Sequence, residues 1–459
     1  ADFAGDAACA GAVAVLTDPD GAGRARATGL PTYVVPDPRA RLGELAAWIY
    51  GDPAHDLTLV GITGTNGKTT TAYLAEAGLR RAGHRTGLIG TIETRIGDDV
   101  LASARTTPEA PDLQSLFAVM RERGVTAVVM EVSSHALALG RVDGTVFDVA
   151  AFTNLGRDHL DFHADLEDYF AAKARLFGPG RARRAVVSVD DAYGQRLARA
   201  AAVPVVRVST AAPAPQTAGG GRGADWRVEG IESGPSGAQR FRVLGPDGVE
   251  LPAVIRLPGI FNVANAVLAV AALVSAGVPA PDAVRGIADV DVPGRMERVL
   301  AGHHGSGQEF VALVDYAHTP DAVEAALRTL RPATAGRLVI VLGAGGDRDR
   351  DKRAGMGAAA ARHADVLLVT DDNPRSEDPE TIRAAVLRGA LDVPAGLRGE
   401  VLEVAGRAAA IAAAVRRARP GDTVLVAGKG HEQGQEVDGV VHPFDDRVEL
   451  RRAIDMVLT

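Results

Sequence analysis

The sequence predicts an α/β protein of three domains, and three observations carry that reading. The chain has 459 residues, which at about 150 residues per domain leaves room for roughly three. From about residue 57, short β-branched runs alternate with helical stretches, the pattern of a parallel sheet flanked by helices. From residue 310 onward, four apolar strands each run straight into a polar cluster, which is where open α/β sheets bind ligands. The expected division is a truncated N-terminal α/β domain at 1–39, a central domain with a parallel sheet at 40–297 and a C-terminal Rossmann-like domain at 298–459.

Residues 1–39 are Gly- and Pro-punctuated, with apolar runs at 12–16 and 33–35, and read as the tail of a small α/β domain without its beginning. Residues 57–63 form a strand, followed by a Gly-rich turn and a helix over 68–82. Buried strands are expected at 125–132 and 146–153, and a helix at 165–177. The Gly-, Pro- and Ala-rich segment 209–224 reads as a flexible loop, as does the Gly/His-rich segment 301–308. Residues 257–281 carry no charge over about the length of a membrane span. Their Pro258, Gly259, Asn262 and Asn265, and their Ala and Val content, favour a loop followed by a buried helix. The four C-terminal strands are 310–314, 338–342, 366–370 and 423–427. They deliver Asp315-Tyr316-Ala317-His318, Gly343 to Arg348, Asp371-Asp372-Asn373-Pro374-Arg375 and Gly428-Lys429-Gly430-His431-Glu432 to one edge.

A composition of 46% apolar and 24% charged residues is that of an ordinary globular protein, and a net charge of -8 gives no reason to expect nucleic acid or an anionic membrane as partner. No membrane insertion is expected. The single cysteine, Cys9, excludes a disulfide framework and fits a reducing, cytoplasmic setting. The chain opens Ala1-Asp2-Phe3, acidic where a secretion signal needs a basic region. Lysine is rare: Lys68, Lys173, Lys352 and Lys429 stand against 46 arginines. A chain that uses Arg wherever a positive charge suffices keeps Lys where a compact ammonium or a free amine matters.

Gly64-Thr65-Asn66-Gly67-Lys68-Thr69-Thr70 between strand and helix reads as a phosphate-binding loop. Its backbone N–H groups and the helix N-terminus cradle phosphate, Lys68 reaches the β/γ-phosphates, and the Thr69 hydroxyl ligates Mg²⁺. Ile62 stands where the general pattern has its leading glycine. Glu131 ends a buried strand, where a carboxylate needs a partner or a metal. His159, in Asn154-Leu155-Gly156-Arg157-Asp158-His159, is a candidate ligand; Lys173, taken alone, would be a solvated helix lysine.

Gly64 to Thr70, Met130-Glu131-Val132-Ser133-Ser134-His135, Thr153 to His159, Lys173, Tyr316-Ala317-His318-Thr319-Pro320, Asp372 to Arg375 and Gly428 to Glu432 occur in an order that resembles the Mur ligases, above all the branch that adds the third residue of the peptidoglycan stem peptide. The resemblance runs along the whole chain. It implies a UDP-binding role for the N-terminal part, although the Asp-Ser-Arg element of that part does not appear, so an incomplete nucleotide-sugar pocket is expected. Leu139 stands where some relatives carry a substrate-binding Gln.

The implied reaction transfers the ATP γ-phosphate to the D-Glu carboxylate of UDP-N-acetylmuramoyl-L-Ala-D-Glu, and the amine of diaminopimelate attacks the acyl phosphate. Lys68, Lys173, Arg295 and His318 are the implied catalytic residues, with Arg295 approaching the γ-phosphate on closure. Thr69, Glu131, His159 and Lys173, the last as a carbamate formed from CO₂, are implied around Mg²⁺. Gly64 to Thr70, Asn262, Asn265 and Asp315 are implied for ATP, and Thr106, Thr107, Ser133 and Arg141 for the muramoyl peptide. Arg348, Asp372, Asn373, Pro374, Arg375, Gly428 and Glu432 are implied for diaminopimelate, whose distal carboxylate suits an Arg fork where lysine's ammonium does not. A monomer acting on small molecules is expected. Folylpolyglutamate synthetase shares the architecture but is not expected to carry Asp-Asn-Pro-Arg or Gly-Lys-Gly-His-Glu. A P-loop switch or motor would also use the phosphate loop, and a catalytically inert remnant would keep the fold; phosphate release with and without substrates separates these from a ligase.

Overall fold

The computed structural model describes residues 2–103, 105–211, 223–234, 237–301 and 307–458. The expected loops at 209–224 and 301–308 lie largely outside these. The first strands, β1 (Val15–Thr17) and β2 (Thr32–Val34), pair in parallel as a small sheet of their own. An eleven-stranded sheet follows, made of β3 (Thr58–Thr63), β4 (Thr86–Ile89), β5 (Glu93–Ile96), β6 (Asp99–Ala102), β7 (Ala127–Glu131), β8 (Phe147–Phe152), β9 (Ala182–Ser188), β10 (Val205–Ser209), β11 (Trp226–Ser233), β12 (Gln239–Leu244) and β13 (Glu250–Ile255). Its order is β13-β12-β11-β10-β9-β8-β3-β7-β4-β5-β6.

The middle of this sheet, β10-β9-β8-β3-β7-β4, is parallel. Its strands are buried on both faces, which is why they read as unbroken Val, Ile and Ala runs. The flanks depart from the expected all-parallel sheet: β5 and β6 form an antiparallel hairpin on one edge, and β11 to β13 an antiparallel meander on the other. The meander alternates buried and exposed residues, as in Trp226 to Val228 and Phe241 to Val243, because only one of its faces is covered.

The helix Ile260–Ser275 does the covering. The uncharged run at 257–281 is this helix, buried along most of its length against the helix Lys68–Arg81 and the sheet. Each fully buried Val or Leu contributes about 1.5–3 kcal/mol, so a charge at Leu268, at its centre, would unseat it. Among the described residues no helix is long and apolar enough to cross a membrane.

A six-stranded sheet follows, of β14 (Glu297–Arg298), β15 (Val311–Asp315), β16 (Leu338–Leu342), β17 (Val366–Val369), β18 (Glu400–Glu403) and β19 (Thr423–Ala427). Its order is β14-β15-β19-β16-β17-β18, parallel except for β14. The four expected strands match β15, β16, β17 and β19 within a residue or so at each end. After β19, the antiparallel hairpin β20 (Gly434–Val437) and β21 (Val440–Pro443) folds back, and Val437 bridges to Arg375. Nothing in the apolar pattern announces this hairpin, whose strands are short and at most partly buried.

Candidate functional site

The carboxyl ends of β3, β7 and β8 face that of β15 across a cleft of about 690 Å³. At its floor is the loop between β3 and the helix Lys68–Arg81. Gly64 and Gly67 have φ of +146° and +89°, and a Cβ on Gly67 would overlap Asn265 Oδ1; only glycine suits either position. The loop is pinned from the end of β8: Asn154 O and Oδ1 accept from Thr65 N and Asn66 N at 2.9 and 3.0 Å, and Thr153 Oγ1 donates to Asn66 O at 2.7 Å. Lys68 Nζ donates to Gly64 O and Thr65 O at 3.0 and 2.9 Å, folded onto its own loop. Asn265 Nδ2 donates to Asn262 Oδ1 at 3.2 Å, so these two residues of the long buried helix line the loop's far side.

Glu131, at the end of β7, is 1% exposed, and its carboxylate is enclosed by hydroxyls and an amide. Thr69 Oγ1 donates to Oε2 at 3.0 Å, Thr91 Oγ1 to Oε2 at 3.1 Å and Thr91 N to Oε1 at 2.8 Å. Thr91 also contacts Thr106 Oγ1 at 3.1 Å, which joins this group to Thr107, Ser133 and Arg141 along the wall. His159 adopts φ +57°, and burial, with Lys68 nearby, lowers its pKa to about 3, so the ring is neutral and able to ligate a cation. Among the described residues no three His, Cys, Asp or Glu side chains form a ready cage. Hard oxygens with a single carboxylate suit Mg²⁺, which keeps waters and shares phosphate oxygens instead of demanding an all-protein shell.

Lys173 is buried beneath the same loop. Its Nζ donates to Gly64 O at 2.8 Å, the carbonyl that Lys68 also uses, and lies 4.5 Å from the Tyr169 ring centroid. Burial first, and the Lys68 charge second, push its pKa well below the ordinary lysine value. Its helix spacing alone suggests a surface lysine; the structure puts it in the floor of the site.

Arg295 reaches across from the smaller sheet. Asp315, at the end of β15, accepts from Met296 N at 2.8 Å and Ala317 N at 2.9 Å, which seats the turn carrying Arg295. Burial raises the Asp315 pKa. Arg295 lies over the Tyr316 ring at 4.2 Å and donates Nη2–H to Thr69 Oγ1 at 3.2 Å. Its Nε is buried and has no hydrogen-bond partner among the described residues, so this donor is left open. His318 contacts Tyr316 O through Nδ1 at 2.7 Å, and its Nε2 lies 3.7 Å from Asp158.

Asp158 and Lys352 are the residues that sequence reasoning missed here. Asp158 is buried and has His159 at 3.6 Å, His318 at 3.7 Å and Lys352 Nζ at 3.6 Å around it. Burial alone would raise its pKa, but the hydrogen bond from His318, the two neighbouring imidazoles and the Lys352 ammonium outweigh that and hold it far below the usual range. Arg157 and Asp351 add a second, exposed ion pair at 3.2 Å across the same seam. The rarity of lysine singles out Lys352 without assigning it a role; nothing marks Asp158 or Thr91.

The implied amino-acid residues gather in a second cluster on the smaller sheet. Arg375, with φ +54°, is held by backbone bonds to Glu436 O and from Asp438 N at 3.0 and 2.7 Å. Its Nε faces Glu436 Oε2 at 3.2 Å, and Nη1 donates to Gly346 O at 2.6 Å. Asn373 Nδ2 donates to Glu432 Oε2 at 2.8 Å. Asp372 lies deeper, 3.8 Å from Arg407 and 3.9 Å from Lys429, and a Cβ on Gly428 would come within 2.5 Å of it. Burial first, and the charges of His163, Arg141 and Arg348 after it, lower the His135 pKa. Pro374 contributes through its backbone, its carbonyl packing where a Cβ on Gly346 would have to sit.

The Mur ligase middle domain family matches residues 62–273, and the Mur ligase glutamate ligase domain family matches residues 294–430. A protein of Streptomyces avermitilis named UDP-N-acetylmuramoyl-L-alanyl-D-glutamate--2,6-diaminopimelate ligase is 61% identical over 455 residues, covering 99% of this chain and 87% of that one. A protein of the same name from Corynebacterium glutamicum is 53% identical, over 99% and 86%. A solved structure of that name superposes with a TM-score of 0.64 at 33% identity, covering 95% of this chain and 89% of the other. The fold is also that of Mycobacterium tuberculosis folylpolyglutamate synthase, at a TM-score of 0.65 and 21% identity, covering 86% of this chain and 93% of that one.

Proposed function

The chain belongs to the Mur ligase family, and on that premise we propose that it joins diaminopimelate to the D-glutamyl carboxylate of UDP-N-acetylmuramoyl-L-alanyl-D-glutamate, consuming ATP, in peptidoglycan precursor synthesis. One observation carries this reading. Arg295, seated on the smaller sheet through Asp315, donates to Thr69 of the phosphate loop, so the sheet that carries the amino-acid cluster reaches the phosphate loop directly. A switch or motor has no need of that second cluster.

In the proposed mechanism Lys68 and the open Nε of Arg295 neutralise the phosphoryl group as it passes to the carboxylate. Asn262 and Asn265 border the adenine side, and Thr106, Thr107, Ser133 and Arg141 hold the muramoyl peptide. His318 is fixed by Tyr316 O and Asp158 on the nucleotide side. The incoming amine attacks the acyl carbon, the C–O bond to phosphate breaks, phosphate leaves, and the amine proton passes to solvent. Mg²⁺ held by Thr69, Glu131, His159 and the Lys173 carbamate would draw off charge from the phosphate oxygens. Lys173 suits carbamylation because burial lowers its pKa and so favours the neutral amine, and CO₂ adds only to a neutral amine with loss of a proton. Residues 1–39 serve the UDP end, 40–297 ATP and 298–459 the amino acid, in a cytoplasmic monomer.

The test supplies ATP, Mg²⁺, the muramoyl dipeptide and either diaminopimelate or lysine. Phosphate and amide should appear together, only with all substrates, and with diaminopimelate strongly preferred. Full-rate ATP hydrolysis without the dipeptide would overturn the reading.

A further inference from the structure

Lys429 takes no part in the chemistry above. It follows Gly428 at the end of β19 and its side chain is fully buried. Its ammonium donates to Asn373 Oδ1 at 2.8 Å and Glu432 Oε2 at 3.2 Å, with Asp372 Oδ1 at 3.9 Å. Asn373 Oδ1 also accepts from Glu436 N at 3.1 Å, and its Nδ2 donates to Glu432 Oε2. The amide therefore has one allowed orientation, and two donors converge on a single oxygen of Glu432. The other oxygen, Oε1, takes none of these bonds.

Charge sharpens the point. Beneath the same turn Arg407 and Asp446 form a fully buried pair, with Arg407 Nε 2.7 Å from Asp446 Oδ1. Two cations, Lys429 and Arg407, thus face three carboxylates, Asp372, Asp446 and Glu432. One negative charge is in surplus, and Glu432 is the member that meets solvent, with its side chain 32% exposed against 10% for Asp372 and 0% for Asp446.

We propose that Lys429 is the positioning residue of the amine site: together with Asn373 it holds Glu432 by one oxygen and leaves the second oxygen for an incoming ammonium. This rests on the reading of the cluster as the amino-acid site. The other groups facing Glu432 cannot stand in, since Tyr316 is neutral and Arg407 is committed to Asp446. Without Lys429, three carboxylates share one cation, and of the two donors to Glu432 Oε2 only Asn373 Nδ2 remains. Arginine does not fit the slot: it is enclosed, and flanked by Gly428 against Asp372 and Gly430 against Tyr316.

The experiment compares the full chain with Lys429→Met, measuring kcat and the three KM values. Expected are a rise of about tenfold or more in KM for diaminopimelate, kcat within about threefold, and unchanged KM for ATP and the muramoyl dipeptide. A defect in kcat alone, or in all three KM values, overturns the proposal. Should Lys429→Met not fold, the double variant Lys429→Met/Glu432→Gln restores charge balance. It should fold and match Glu432→Gln alone; a double variant that stays unfolded, or binds amine worse than Glu432→Gln, overturns it equally. Wild-type failure with diaminopimelate would sink the functional reading instead. The comparison is then run with whichever amino acid is used, and equal KM in both proteins ends the Lys429 proposal.

Discussion

Replacing Arg375 by Ala should cost diaminopimelate roughly ten- to thirtyfold in kcat/KM. A charge-assisted hydrogen bond contributes about 1.5–3 kcal/mol, and each 1.4 kcal/mol is about tenfold. The structure moves the expectation to the lower half of that range. Arg375 Nε already faces Glu436 at 3.2 Å, Nη1 is taken by Gly346 O, and the side chain is 22% exposed, so part of its charge is spent and part is screened. What remains for a distal carboxylate is the Nη2 side, which carries no hydrogen bond among the described residues. The same geometry gives an opposite-signed partner experiment. Glu436→Gln releases the guanidinium from a half-exposed ion pair worth about 0.2–1 kcal/mol and should raise kcat/KM for diaminopimelate by about two- to fivefold. Amide formation is followed with diaminopimelate and with lysine at saturating ATP and muramoyl dipeptide. Lysine should be a poor substrate throughout and change little. If Arg375→Ala slowed both amino acids equally, or Glu436→Gln weakened diaminopimelate, Arg375 would not be reading the distal carboxylate.

Lys173→Arg should abolish ligation and lower the thermal midpoint, since the larger guanidinium overpacks a fully buried site, while Lys173→Ala should regain activity with added acetate or formate; wild-type turnover by the Arg variant would refute the carbamate. Lys352→Met removes one cation from buried Asp158 and should lower kcat by about tenfold while leaving ATP affinity within about threefold, because the phosphate loop is held by Asn154 and Thr153 instead; small-angle scattering should show a more open chain, and an unchanged profile with unchanged kcat would refute the seam. Burial, then the Arg295 and Arg447 charges, hold the His431 pKa at about 3, against about 6.5 unfolded. Between those values the unfolded chain binds the extra proton, so stability should fall as pH drops from about 7 toward about 4. His431→Gln should flatten part of that fall in thermal melts, and an identical pH profile would remove His431 from the account.

The parallel strands were legible because burial on both faces leaves an unbroken apolar signature, and the phosphate loop because Gly-Lys-Thr-Thr between strand and helix has few other uses. The antiparallel edges were not. β5, β6, β20 and β21 are four residues each and partly solvated, too short for period-two alternation to stand out. Losing β20 hid Glu436, and with it the partner that tempers Arg375. Asp158 was hidden for a different reason. Its partners His318 and Lys352 lie 160 and 194 residues away, and an ion cluster across a seam between two sheets leaves no local pattern. Lys173 was legible only through family resemblance, since on its own helix it has the spacing of a surface residue.

The four lysines gain a common reason once their surroundings are known. Lys68 and Lys173 converge on a single carbonyl, Gly64 O, at 3.0 and 2.8 Å. Two guanidinium forks could not share one acceptor inside so small a floor, and neither could give up a proton to become a nucleophile for CO₂. Lys352 places a compact charge 3.6 Å from a carboxylate that two imidazoles already crowd. Lys429 fills a slot closed by two glycines and reaches acceptors on two different loops. At each place the requirement is a small cation in a confined space, and at Lys173 it is also a cation able to become neutral. The arginines, by contrast, lie mostly in exposed or half-exposed pairs, such as Arg242 with Glu229 or Arg256 with Asp289, where a planar fork is no hindrance. The Lys-to-Arg imbalance is therefore a map of the site written in composition: a position that resists Arg marks a place where chemistry or enclosure forbids a larger, permanently charged group.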